Sequence, residues 1–523
     1  MNDFIVSLML LGAVGSYDGA LPFWATANQY GLMPERSGAM AWVKAGTEFD
    51  GSRTLQWRWG GAAALTETSP AAGGGLGTVT KADAGTVGLV GMAGLPVTKA
   101  GESPVAEAAV HEAWGSHLML DELYASLRWQ CFTLDVGQKR RAQDFTGADA
   151  SLGSLSVTGG HVVESGNARP MPGYKITLAP VAVPLTNGHL KIYGDFGDYR
   201  TMDERFAQDA LVHRMLAGVQ ASAGGFSLDL GLDHYALWGG RHPNGVDMNI
   251  SLANYLRIIT GRNAGSDASL SDQINVIGDH GGAEFIKLAY RGDGWKVTAQ
   301  HEIPYADRSG MKFKNFPDGV NTLHFGFDRK DRWISDILYE YHYTMFQSGP
   351  INEEKYDEFG NPLFDPKTAN TYGGDNYFNN GEYRSGWTHF GHSICAPLFF
   401  VKGTYDRSWS GNGVTLGFES NRYRAHHIGI GGMLFRKQPY KIMLTYSINH
   451  GTYGKPYTGE SAWQKPWGTV KETGLRQVSV AFVGTVRNLF NVSGLNGLYG
   501  LYADKGSLLE DSIGVSLGIK YTL

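Results

Sequence analysis

The chain has 523 residues, 72 of them glycine, with 12% aromatic and 18% charged residues and a formal net charge of -5. That balance favours many strands and turns over helices rich in Glu and Lys. With a pI near 6.3, it supplies no basic patch to argue for a nucleic-acid partner. No run reaches the ~18 consecutive apolar residues of a membrane-spanning helix, whereas a membrane barrel needs only ~10 alternating residues per strand.

In chain order, "FIVSLMLLGAVGS" resembles the apolar part of a signal peptide, but no Lys or Arg precedes it and Asp3 stands where positive charge belongs. It reads as a first strand, with any export signal outside this numbering. Residues 68–112 form a Gly/Ala/Thr/Val-biased segment that turn parity makes a variable external loop. Next, Phe132, Leu134 and Val136 alternate with Thr133, Asp135 and Gly137, and Phe226, Leu228, Leu230 and Leu232 with Ser227, Asp229, Gly231 and Asp233. In "WISDILYEYHYT", Asp336, Glu340, His342 and Thr344 share one face, and Trp333, Ile337, Tyr339, Tyr341 and Tyr343 the other. Tyr440, Ile442, Leu444, Tyr446 and Ile448 alternate with Lys441, Met443, Thr445, Ser447 and Asn449. The final strand is the clearest, with Ile513, Val515, Leu517, Ile519, Tyr521 and Leu523 on one face and small or polar residues on the other.

Short links are expected near Trp129 and at 222–225, 291–294, 328–332 and 436–440, separated by long polar segments at 139–155, 199–210, 236–255, 301–320, 346–386 and 449–474. Short turns on the periplasmic side and long loops outside are the signature of an outer-membrane barrel, and the alternating segments correspond to roughly 16 to 18 strands. The expected fold is therefore all-β, a transmembrane antiparallel β-barrel forming one domain over residues 1–523. Its lumen must be water-filled or plugged.

Catalytic and metal motifs are weak. "GVSLG" (Gly514 to Gly518) matches G-x-S-x-G literally but lies in strand alternation, not at a strand-to-helix elbow. His426 and His427 are adjacent on a strand and point to opposite faces, which disfavours a shared ion. Cys131 and Cys395, the only cysteines, have no zinc-site spacing, and whether they pair is open at this level. No catalytic residue, metal or cofactor is expected. The external loops hold more chemistry. The segment 449–474 carries Tyr453, Tyr457, Trp463 and Trp467 among amides and charges, suited either to an aromatic girdle or to stacking on sugars. "DNYFNNGEYRSGWTHFGHSI" (Asp375 to Ile394) is equally ambiguous between ligand contact and a latch built from its own hydrogen bonds.

Eight blocks in fixed order resemble the Wzi family of capsule-assembly proteins: "LPFWATANQYG", "GSLSVTGGHVVESGNARPMP", "VPLTNGHLKIYGDFG", "GLDHYALWGG", "KFKNFPDG", "LYEYHYTMFQSGP", "GGDNYFNNGEYRSGW" and "NRYRAHHIGIGG". The resemblance implies an outer-membrane barrel of about eighteen strands in a Gram-negative bacterium, acting without catalysis to hold capsular polysaccharide at the cell surface as a lectin. The alternative reading is a porin or export accessory. On the residues alone, Asn376, Tyr377, Arg384 and Trp387, with Arg169 and Trp463, are the candidates to line the external mouth and meet polysaccharide. The expected partners are that polysaccharide and outer-membrane lipid, around a monomeric barrel.

Overall fold

The computed structural model describes the chain except residues 1–3, 17–18, 69–115, 141–149, 244, 246, 249, 264–275, 307–312, 314, 349–374, 402–415 and 458–472. Of the biased segment 68–112, only Thr68, the last residue of the third strand, lies among the described residues. The wall begins with β1 (Phe4–Gly15), β2 (Gly38–Thr47), β3 (Leu55–Thr68), β4 (Ser116–Trp129), β5 (Phe132–Gln138), β6 (Pro172–Ala182) and β7 (Leu190–Arg200). It continues through β8 (Leu211–Ala223), β9 (Phe226–Trp238), β10 (Asp279–Gly292), β11 (Trp295–Tyr305), β12 (Gly319–Phe327) and β13 (Asp336–Tyr343). Two small ladders follow, β14 (Thr388–His389) with β15 (His392–Ser393) and β16 (Phe400–Val401) with β17 (Phe418–Ser420). The wall resumes with β18 (Tyr423–Leu434), β19 (Gln438–Asn449), β20 (Leu475–Val486), β21 (Leu495–Gly506) and β22 (Ser512–Thr522). Among the described residues the links carry the short α-helices α1 (Phe23–Thr26), α2 (Ala150–Leu155) and α3 (Leu252–Ile259).

Eighteen strands form one antiparallel sheet, closed where β1 pairs with β22 from Ser7↔Thr522 to Gly15↔Gly514. Closure leaves no edge strand and no unpaired ladder, the condition for a sheet to cross lipid. The expected first strand is thus real, and β1 is one of the two seam strands. Links at 130–131, 224–225, 293–294, 328–335 and 435–437 are short, as expected, and further ones at 48–54, 183–189 and 487–494 lie on the same side. By turn length that side is periplasmic.

The outward faces are apolar and uncovered: Leu10, Leu118, Leu123, Leu230, Ile286, Leu323 and Leu517 are all exposed. Toward the periplasmic ends this belt meets rings in mutual contact, Phe4 with Trp59 (6.1 Å), Phe226 with Tyr290 (4.6 Å), Trp295 with Phe325 (5.7 Å) and Trp333 with Phe435 (5.4 Å). A belt of exposed aliphatics bounded by aromatic side chains makes sense only in a bilayer. The chain is an outer-membrane barrel. No helix among the described residues is long and apolar enough to cross a membrane.

The largest buried cluster lies inside the barrel. Val157, Val162 and Val163 from the link before β6, and Tyr377, Trp387 and Phe399 from the link before β18, pack against wall residues such as Tyr235, Ala283, Val320 and Tyr423. Both links fold inward, so the outer part of the lumen is plugged.

Candidate functional site: the plugged lumen

Residues 153–171 enter the lumen because the wall offers carboxylates to their backbone N–H groups. Val157 N donates to Glu340 Oε2 (2.9 Å), and Ser156 Oγ to Glu340 Oε1 (2.5 Å). Val162 N donates to both oxygens of Glu302 (3.1 Å each). Charge-assisted bonds of this kind are about twice as strong as neutral ones. On the opposite side of the segment the wall donates instead: His427 Nε2 to Leu155 O (2.7 Å) and Lys441 Nζ to Ser154 O (3.2 Å). The wall at this point is a glycine, since a Cβ on Gly429 would lie 2.6 Å from Leu155 O.

His161 sits at the deepest part of this contact. Its Nε2 is 2.5 Å from Asp233 and its Nδ1 2.7 Å from Glu302. Burial disfavours its charged form, but Glu302 and then Asp233 outweigh that and hold the imidazole up at about 9. Arg214 neutralises the surrounding acids, at 3.4 Å from Asp233, 3.5 Å from Asp195 and 3.7 Å from Glu164. Tyr235 adds a bond from its hydroxyl to Glu164 (2.7 Å).

The second infolded segment locks onto the first. Trp387 Nε1 donates to Val163 O (3.0 Å), Ser165 Oγ to Cys395 O (2.8 Å) and Ala396 N to Val162 O (2.9 Å). Arg205 reaches in to donate to Thr388 O and Gly386 O, both at 2.9 Å. Tyr377 donates its hydroxyl to Asp318 (2.8 Å), which also accepts from Phe346 N and Gln347 N (2.7 Å each).

The structure therefore separates the six candidates. Tyr377 (0% exposed) and Trp387 (5%) lie inside the plug and not on the surface of the mouth. Their rings fill space between wall and plug, which is why they are covered. Asn376 is partly exposed, with its Oδ1 accepting from Asn421 Nδ2 (2.6 Å). Arg384 and Arg169 are partly exposed with guanidinium groups over Phe206 (4.7 Å) and Phe390 (3.6 Å). Trp463 lies outside the described residues. Beside Arg169 is a cavity of about 20 Å³, lined also by Tyr30, Glu164 and Met171. It has room for a water, not for a sugar ring. Replacing Trp387 by Ala removes the indole and its bond to Val163, and is expected to destabilise plug docking by about 3–5 kcal/mol. The barrel should still show its heat-modifiable mobility on gels, while protease cuts within 375–401 increase.

Glu302, Glu340, Asp233, Arg214 and His161 escape sequence reasoning as a group. The available signal is an acid at an inward position on a strand, visible for Glu340 and Asp233. Elsewhere the readings stand as geometry. His426 faces out to Tyr339 Oη (2.8 Å), and His427 faces in. Ser516 is mid-strand beside Tyr502 Oη (3.1 Å). Cys131, in a periplasmic turn, and Cys395, in the plug, are both free. Among the described residues no group of three or more His, Cys, Asp or Glu side chains is placed to hold a metal.

No family model matches the chain, and no curated protein matches it. The Wzi resemblance finds no support there. Solved structures overlap it loosely: OccK9 (OpdG) of Pseudomonas aeruginosa at 12% identity and TM-score 0.44, covering 100% of this chain and 98% of that one. The outer membrane protein OpdK of the same organism overlaps at 9% and 0.42 (100% and 99% covered), and OccAB4 of Acinetobacter baumannii at 8% and 0.41 (100% and 98%). Overlaps this loose add nothing to what the chain's own geometry says about function.

Proposed function

We propose that the protein is a passage for hydrophilic solutes across the outer membrane, restricted at its external end by its own infolded loops. The observation that carries this reading is the contrast within one lumen. A barrel of this strand number is too wide for wall side chains alone to fill. Its outer part is occupied by segments held through hydrogen bonds and ion pairs, with both cysteines free. Below the plug the wall turns basic and wet: Arg128, Lys191, Lys296 and Lys520 occupy inward positions and are at least partly exposed. The nearby acids Glu122, Asp135 and Asp336 are taken up by Lys44, Lys139 and Lys330. A positive lining in a chain of net charge -5 favours anions.

Planar-bilayer recording tests this. The wild-type protein is expected to conduct rarely or in small steps, and plug-released protein in large steps, with a reversal potential on the anion side in a KCl gradient. Changing Lys191, Lys296 and Lys520 to Gln should move that potential toward zero. Silence from barrels whose plug is shown by proteolysis to be released would sink the passage reading.

A second reading is a surface anchor for capsular polysaccharide, favoured by the partly exposed Arg169 and Arg384, each stacked on an aromatic ring. Loss of cell-bound capsule on deletion, with polymer appearing in the medium, would select it.

A further inference from the structure

The link between β9 and β10 carries a helix that lies outside the barrel wall. Alternation fixes this. Val212, Tyr235, Leu237 and Ala283 face the lumen and join the plug core, so the adjacent His213, His234 and Ala236, and His280 three places before Ala283, face outward. These outward residues are nevertheless buried. Asp198 meets His213 (2.9 Å), and His234 meets His280 (2.8 Å), on a wall whose lower part is the bare apolar belt. Their cover is α3. Tyr255 Oη donates to Asp198 (2.6 Å), and Ile258 packs with Ala236, Trp238 and Ile277 in a cluster separate from the plug core.

The other side of α3 is apolar as well: Leu252 and Leu256, one helical turn apart, are 74% and 55% exposed, and Ile250 just before them 56%. The apolar arc of α3 thus runs from the wall-facing Ile258 round to Leu252 and Leu256, with Arg257 off it, the pattern of a helix lying in a membrane interface. One side is buried by the wall. We infer that the other is buried by lipid, with α3 seated in the outer leaflet as a lateral extension of the membrane belt. The bilayer is the occupant because the belt below α3 on the same strands, with Val219, Leu230 and Ile286 exposed, is already lipid-facing. The helix also explains how the polar pairs tolerate their position, since α3 shields from hydrocarbon the groups that have no water there.

Nitroxide labels test this in Cys131→Ser protein reconstituted into phosphatidylcholine vesicles, at Leu252→Cys and Leu256→Cys. Leu230→Cys supplies a lipid standard and Asp247→Cys a water standard. Heat-modifiable gel mobility confirms that each barrel is assembled. Labels at 252 and 256 are expected to match 230, with high accessibility to oxygen and several-fold lower accessibility to a nickel chelate than 247. High nickel accessibility would place α3 in water, and low accessibility to both reagents would place it against protein, a second copy included. Either result overturns the inference.

Discussion

Converting Glu302 and Glu340 to Gln together is expected to turn a nearly silent barrel into one that conducts. Glu340 holds Val157 N and Ser156 Oγ, and Glu302 holds Val162 N and one nitrogen of His161. An amide keeps the shape of each side chain but loses the charge, and it turns one acceptor oxygen into a donor facing another donor. Hydrogen bonds to charged groups contribute about 1.5–3 kcal/mol each. Loss of the two carboxylates therefore costs the docked plug about 3–6 kcal/mol. The fraction of undocked plug should rise by roughly two to four orders of magnitude. The wall is spared, because each glutamate sits within paired strands, Glu302↔Val320 and Glu340↔Thr322. Two measurements belong together: single-channel current in planar bilayers, and cutting of residues 153–171 by an added protease. Increased cutting with increased current is the expected pair. Unchanged cutting would show that these carboxylates do not hold the plug.

The wall was legible in the sequence because every strand meets two different media. Lipid outside, and water or plug inside, force a period of two that is complete in β22 and nearly so in β19, and turn length then gives sidedness. The plug was not legible, because its partners are remote in the chain. Trp387 and Val163 are 224 residues apart, and Val157 and Glu340 183. A short stretch such as "ICAPLFF" has no period to betray whether its apolar groups face lipid, a wall or another loop. The same lack of local signal made Asp375 to Ile394 ambiguous. In the structure its Tyr377 and Trp387 are buried and bonded to Asp318 and Val163, and Asn379 Nδ2 donates to Phe418 O (3.0 Å). The position of α3 was hidden for a different reason. An eight-residue helix shows its apolar arc in the sequence, but not which part of that arc the wall covers.

Plug docking should also weaken as pH rises from neutrality, through His161. This imidazole is held up at about 9 when docked, against about 6.5 for a histidine in water. Burial opposes its charge, while Glu302 and Asp233 favour it more strongly. Arg214, Glu164 and Tyr235 complete the charged and titratable surroundings. A group whose docked value lies above its free value contributes fully below the free value, and that contribution is lost as pH climbs through the docked one. The window is therefore pH 6.5 to 9, and the loss across it is on the order of 3 kcal/mol. Conductance and protease cutting of residues 153–171 should both increase between pH 6.5 and 9.5 in the wild type. His161→Gln cannot carry the charge, so its plug should already be loose at pH 6.5 and respond little above it. A wild-type profile that stays flat over this range, or one that His161→Gln reproduces unchanged, would remove His161 from the latch. Restoration of tight docking in His161→Lys at both pH values would show that the cation, and not the ring, fastens the plug to Glu302 and Asp233.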